Sequence, residues 1–323
     1  MRMPRDRSSR TRSSRRRNGR ARILLAAPLT AVALVASACG GTVDEPAADD
    51  VANGAANGAA GEPQAIVSLT PATTEMLYAV GAGDQVVAVD ERSNYPENAP
   101  VTDLSGYTPN LEAILGYNPD LVVLSDNNGD IVDGLERAGV EVLMLPAARS
   151  LDDTYAQLEQ VGAATGNIGD AAEVVSRMQV EIAEIVASVP ERETPLTYFH
   201  ELDETFYTVT DDTYIGEIYS MLGMTSIATG SDPYPQLSEE LILEADPDVI
   251  LLADAQCCGV TPEIVAQRPG WDQLTAVLDG HVYVVDEDLA SRWGPRIVDF
   301  LREVAAIVTP IDSATSPAPQ PAP

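Results

Sequence analysis

The chain has no lysine: all 19 of its basic residues are arginine, and ten of them fall in the first 22 positions. From Cys39 onward nine arginines stand against 49 acids, a net charge of −40. A surface of that sign repels nucleic acid and anionic lipid, which excludes both as partners. Cysteine is nearly as scarce. Cys39, Cys257 and Cys258 are the whole complement, too few for a disulfide framework. Histidine is limited to His200 and His281, and adjacent cysteine side chains rarely converge on one ion, so no metal site is expected. Missing too are a Walker loop, a G-x-S-x-G elbow and a G-x-G-x-x-G placed after a strand. Gly81-Ala82-Gly83 ends a helical pattern, the wrong context for a dinucleotide. The many carboxylates then read as solvated surface, and neither a catalytic step nor a cofactor of the chain's own is expected.

What is present begins with a leader. Behind the basic start, residues 23–35 are apolar apart from Thr30. That run is shorter than the roughly 18 residues of a membrane span and contains Pro28. A basic segment, a short apolar run and small residues form a secretory signal, expected over residues 1–38. Ala36-Ser37-Ala38-Cys39 resembles the lipobox of bacterial lipoproteins, which makes Cys39 the expected site of lipidation and the membrane contact a lipid anchor alone. Ala36 stands where leucine is usual, and Ala36-Ser37-Ala38 also satisfies an ordinary cleavage site. Arg15-Arg16-Arg17 leaves open whether export is Sec or twin-arginine. Residues 39–63, rich in Ala, Gly, Asn and acids, read as a flexible tether, and residues 310–323 as a disordered tail.

Between these ends, β-branched runs alternate with helical patterns. Strands are expected at residues 65–69, 86–89, 121–124 and 140–145, and again at 196–199, 249–252 and 282–285. Alternation of this kind predicts an α/β fold with parallel sheets covered by helices. Residues 110–126 laid over residues 238–254, an offset of 128, show seven identities: Glu112/Glu240, Ile114/Ile242, Leu115/Leu243, Pro119/Pro247, Asp120/Asp248, Leu124/Leu252 and Asp126/Asp254. Most are core or turn positions. The glutamates are not, because any acid in a first helical turn would serve the dipole. One carboxylate at the same place on each of two lobes suggests a two-sided partner. Residues 168–190 carry apolar side chains at 3.6-residue spacing without Gly169 breaking the pattern, and predict one long helix between an N-terminal lobe (64–167) and a C-terminal lobe (191–309). The length allows each lobe its own core.

Ile66-Val67-Ser68-Leu69-Thr70-Pro71-Ala72-Thr73-Thr74-Glu75, Ser93-Asn94-Tyr95-Pro96, Pro109-Asn110-Leu111-Glu112, Pro233-Tyr234-Pro235-Gln236-Leu237-Ser238-Glu239-Glu240 and Pro295-Arg296-Ile297 together make the chain resemble the periplasmic-type binding proteins for ferric siderophores, haem and cobalamin, with the cobalamin binders nearest in motifs. The resemblance covers roughly residues 64–308. It implies two Rossmann-like lobes joined by one rigid helix, a shallow interlobe cleft for a metal chelate, and a monomer that delivers its cargo to an ABC permease dimer with its ATPase. It also implies that Glu112 and Glu240 dock onto arginines of the two permease subunits.

The ligand positions depart from the family. Where relatives place an aromatic or an arginine, this chain has Gly106, with Tyr107 beside it; Tyr234 holds the equivalent place in the second lobe. Arg92 replaces a tyrosine of the cobalamin binders. Arginine suits the oxygens of siderophores, and Trp293 beside Arg292 offers a flat apolar face. Arg92, Tyr107, Tyr234, His200, Arg292 and Trp293 are therefore the expected ligand contacts, and the arginines tilt the expectation to a ferric siderophore over cobalamin. His200 and Tyr107 are also candidate axial ligands for haem, the alternative for His200 being a bond to nearby backbone. Glu201, Asp203 and Tyr207 follow on an expected cleft loop. Cys257 and Cys258 either close a vicinal disulfide or remain two thiols. A surface receptor that binds haem or a corrinoid and signals to a partner is the rival function.

Overall fold

The computed structural model of the chain describes residues 62–311. The leader, Cys39, most of the tether and the tail from residue 312 lie outside the described residues. The first half runs β1 (Ile66–Ser68), α1 (Pro71–Ala79), β2 (Val86–Val89), α2 (Leu111–Leu115), β3 (Leu121–Leu124), α3 (Ile131–Arg137) and β4 (Glu141–Met144). Two helices follow, α4 (Leu151–Thr165) and α5 (Ile168–Ser188). The second half runs β5 (Leu196–Glu201), α6 (Tyr214–Met221), β6 (Met224–Ser226), α7 (Glu239–Ala245) and β7 (Val249–Leu252). It ends with three short helices, α8 (Ala255–Cys258), α9 (Pro262–Ala266) and α10 (Thr275–Leu278), then β8 (Val282–Val284), α11 (Glu287–Ser291) and α12 (Ile297–Val308).

Each half forms a four-stranded parallel sheet, and the orders β2-β1-β3-β4 and β6-β5-β7-β8 are the same topology. The offset of 128 maps the first residue of α2 onto that of α7, and β3 onto β7. Their helix starts are built alike: the Asn110 and Ser238 side chains accept from the backbone N–H three residues on, a cap worth about 1 kcal/mol. The shared aspartates have matching work. Asp120 accepts the N–H groups of Gln64 and Ala65 at the entry to β1, and Asp248 accepts from the N–H and hydroxyl of Thr197 in β5. A carboxylate before each central strand thus fixes the start of its neighbour. The strands β3 and β7 are buried at every residue, as parallel strands covered on both faces must be.

The expected strands are all present. The edge strand β6 is an addition the pattern did not signal, since three residues after Gly223, itself at φ +71°, give no periodicity to read. The long helix is α5, with Ala171, Val174, Val175, Met178 and Ile182 buried as its spacing predicts.

The expectation of a separate core in each lobe needs correction. One continuous cluster joins the inner faces of both sheets, from Ile66, Met76 and Val123 through Val174 and Met178 of α5 to Tyr198, Leu251, Phe300 and Val304. Smaller clusters cover the outer faces, around Val122 and Leu135 in one lobe and Trp271 and Ile250 in the other. The apolar stripes of α5 and α12 pack against each other between the lobes, so the cores merge there. Among the described residues no helix is long and apolar enough to cross a membrane.

Candidate functional site

In parallel sheets ligands collect beyond the carboxyl ends of the strands, where the strand order reverses. Here those points lie between β1 and β3, and between β5 and β7. A chain of three cavities links them. A cavity of about 420 Å³ is lined from both lobes by Thr70, Arg92, Asn94, Glu287, Asp288 and Trp293, among others. A second, about 360 Å³, shares Thr70, Pro71, Glu91 and Arg92 with it and adds Gly106, Tyr107 and Asp126. A third, about 230 Å³, shares Glu287, Ser291 and Trp293 with the first and reaches into the C-terminal lobe to His200, Tyr214 and Tyr234. All six expected ligand contacts line this cleft.

They differ in what they offer. Tyr107 is 84% exposed and Tyr234 41%, so both present aromatic surface. Arg92 is exposed beside Glu91. Trp293 is held in place because its Nε1 donates to Gln157 Oε1 of α4 at 3.0 Å. Arg292, by contrast, is buried and occupied. Its Nη1 donates to Glu75 Oε1 at 3.0 Å and Asn94 Oδ1 at 2.7 Å, and its Nη2 to Asp288 Oδ1 at 2.6 Å and the Arg92 carbonyl at 3.3 Å. Its role is to tie the lobes together at the cleft floor, and the expectation that it greets a ligand's oxygens is corrected accordingly.

Glu75 is the residue the sequence reading missed. It sits on α1, where residues 72–77 are all buried, and a carboxylate in a helix buried on every side requires a partner. Arg296 supplies a second one, donating from Nε and Nη2 at 3.0 and 2.6 Å while stacking over Tyr95 at 4.1 Å. Around this bridge runs a line of hydroxyls, Thr73–Ser68–Thr74–Ser93, ending on Asp90. Burial raises the Asp90 pKa, opposed by the Ser93 hydrogen bond. These bonds explain the Ser and Thr content of the first motif: its hydroxyls hold the β1–α1 turn against the Asn94 loop.

The glycine at position 106 has a steric cause. A Cβ there would lie 2.0 Å from the Leu69 carbonyl oxygen, so no aromatic fits this backbone. Tyr107 stands beside it instead.

His200 lines the smallest cavity but is fully buried. Its Nδ1 is 2.7 Å from the Tyr219 hydroxyl, and its Nε2 has no partner among the described residues. Burial pushes its pKa down to about 3, so the ring is neutral. The residues expected on a cleft loop lie elsewhere. Glu201 ends β5 on the opposite face from His200 and forms a bidentate pair with Arg268 at 2.5 and 2.6 Å. Asp203 accepts from Thr205, and Tyr207 bridges to Gln236. None of the three lines the cavities. Strand alternation turns Glu201 away from the cleft. Beside it Asp254 is buried with both oxygens lacking a donor, and burial together with the Glu201 charge pushes its pKa up to about 7.

Glu112 and Glu240 are both exposed in the first turns of α2 and α7. Cys257 and Cys258 form a vicinal disulfide on α8, at the carboxyl end of β7, where the Cys257 N–H donates to Glu287 Oε2 at 3.2 Å.

A family model described as periplasmic binding protein matches residues 66–289. The chain belongs to the periplasmic binding protein family. This member is 31% identical over 258 residues to a Bacillus subtilis protein named as the uncharacterized ABC transporter substrate-binding lipoprotein YvrC, covering 77% of this chain and 81% of that one. It is 31% identical over 256 residues to a cobalamin-binding protein of Halobacterium salinarum, covering 76% and 69%. Among solved structures it superposes on the periplasmic vitamin B12 binding protein BtuF of Vibrio cholerae with a TM-score of 0.66 at 27% identity, over 79% of this chain and 99% of that one. A possible iron-binding solute-binding protein of Staphylococcus epidermidis gives 0.69 at 26%, over 76% and 99%. Membership makes the chain a solute-binding component of ABC import, a transport role without a catalytic step.

Proposed function

We propose that this is the lipid-anchored, extracytoplasmic binding protein of an ABC importer for a corrinoid, which it hands to a permease dimer docked through Glu112 and Glu240. The observation that supports the corrinoid most is the state of Arg292 at the cleft. Arg292, one half of the case for a siderophore, already has four acceptors inside the protein. Open to a ligand are Tyr107, Tyr234 and Trp293 around cavities that bridge the lobes, together with the exposed Arg92. Flat aromatic surface suits a large, mostly apolar macrocycle with a neutral rim. The curated relatives named for cobalamin and vitamin B12 support the same choice. A ferric siderophore is the second reading, carried by the exposed Arg92.

Uptake of radiolabelled cyanocobalamin in a host carrying the cognate permease, with and without this protein, tests the proposal. Dependence of uptake on the protein supports import, whereas binding without uptake points to a surface receptor. Fatty-acid labelling of Cys39 tests the anchor, and an unlabelled chain would mean plain secretion.

A further inference from the structure

The smallest cavity, about 230 Å³, differs in character from the two beside it. Its walls include Leu202, Tyr214, Tyr234, Ala290 and Trp293, with Glu287 and Ser291 at the side shared with the first cavity, and His200 is the one imidazole among them. Whole small-molecule sites span about 300–1,000 Å³, so this volume holds part of a ligand whose body lies in the adjoining cavity. The open question is the Nε2 of His200, which is buried and without a partner while Nδ1 faces the Tyr219 hydroxyl. A buried polar nitrogen left unpaired is destabilising, and such atoms are rare unless something completes them.

The chemistry that would complete it is narrow. The ring is neutral at physiological pH, since burial pushes its pKa down to about 3. A neutral imidazole offers Nε2 as one donor or one acceptor, depending on tautomer. A carboxylate in this pocket would be desolvated with no arginine in the lining to balance it, and Glu287 in the wall carries the same sign. A primary amide is neutral, flat, and both donor and acceptor, so it pairs with either tautomer.

We infer that this cavity is a subsite for a primary amide on the rim of the bound corrinoid, hydrogen-bonded to His200 Nε2 with the adjoining macrocycle edge against Tyr234 and Trp293. This rests on the corrinoid reading. The subsite discriminates amide-rimmed corrinoids from macrocycles with carboxylate rims such as haem.

The test uses quenching of Trp293, since the only other tryptophan, Trp271, is fully buried in the C-terminal lobe. The probes are cyanocobalamin and its three separated monocarboxylic acids, each with one rim propionamide hydrolysed. At pH 7 at least one acid binds about tenfold or more weaker than the parent. That deficit closes as the pH falls below roughly 4.3, where a carboxyl protonates. His200→Phe weakens cyanocobalamin by about tenfold, and His200→Gln, which keeps a hydrogen-bonding side chain, recovers part of it. Should His200→Phe fail to fold, Tyr234→Ala alters the same cavity from a 41% exposed position and gives the same loss. Equal binding of the parent and all three acids at pH 7 overturns the subsite while leaving the corrinoid reading intact. Failure of cyanocobalamin itself to bind overturns both.

Discussion

Glu75 on α1 and Arg292 after α11 lie 217 positions apart in sequence and 3.0 Å apart in space, with side chains 1% and 7% exposed. Arg296 binds the same carboxylate, so one buried acid of the first half holds two arginines of the second. Removing one partner from such a bridge leaves charge stranded in a medium that solvates it poorly, at about 3–5 kcal/mol. Glu75→Ala is therefore expected to lower unfolding free energy by that order in urea titration. A change below about 1 kcal/mol would place the pair with exposed bridges, which contribute little.

Asp254 gives a dependence of stability on pH. Its folded pKa is raised from 3.8 to about 7, so the folded state binds its proton more tightly than the unfolded one. The contribution to stability is full below about 3.8 and is lost as the pH rises through about 7. Asp254→Asn removes that loss. The variant should exceed wild type at pH 8 and match it near pH 4, as read by chemical denaturation at each pH. A constant difference across that range would contradict the assignment.

The repeat, the two sheets and the long helix were legible because they rest on local periodicity and on a fixed offset of 128 that carries α2–β3 onto α7–β7. The cleft residues were legible too, since they fall at strand ends or within the family's motifs. What could not be read was pairing across the chain. Arg292 looks like a ligand contact until Glu75 is brought beside it, and nothing local to either residue announces the other. A signal existed in the unbroken burial of residues 72–77, yet burial itself comes from tertiary packing. The side on which Glu201 projects was misread for a related reason. A strand end fixes where a residue sits, whereas the face depends on register, which here sends His200 to the inner cluster and Glu201 to the outer.

Gly106 illustrates steric exclusion by backbone. With Leu69 O at 2.0 Å from the position of a Cβ, Gly106→Ala forces a shift of the loop carrying Tyr107 and should cost about 1–3 kcal/mol. Thermal melting measures the loss. Tyr107→Ala, at an 84% exposed position, should leave the melting temperature within about 1 °C of wild type.

The proposed docking role of the glutamate pair predicts that binding and delivery can be separated. Reversing both Glu112 and Glu240 to arginine leaves the cleft untouched, so ligand affinity should stay within about threefold. Cellular uptake should fall, because the carboxylates proposed to dock on the permease are replaced by cations. Normal uptake by the double variant would rule out docking through these residues.

What enters the cleft separates a corrinoid carrier from a siderophore carrier. Calorimetric titration of the residue 39–323 chain with cyanocobalamin, a ferric hydroxamate siderophore and haemin decides it. Saturable binding of cyanocobalamin, tighter than either of the others by about tenfold or more, is the predicted result. A siderophore that binds while cyanocobalamin does not would contradict it and return the weight to Arg92.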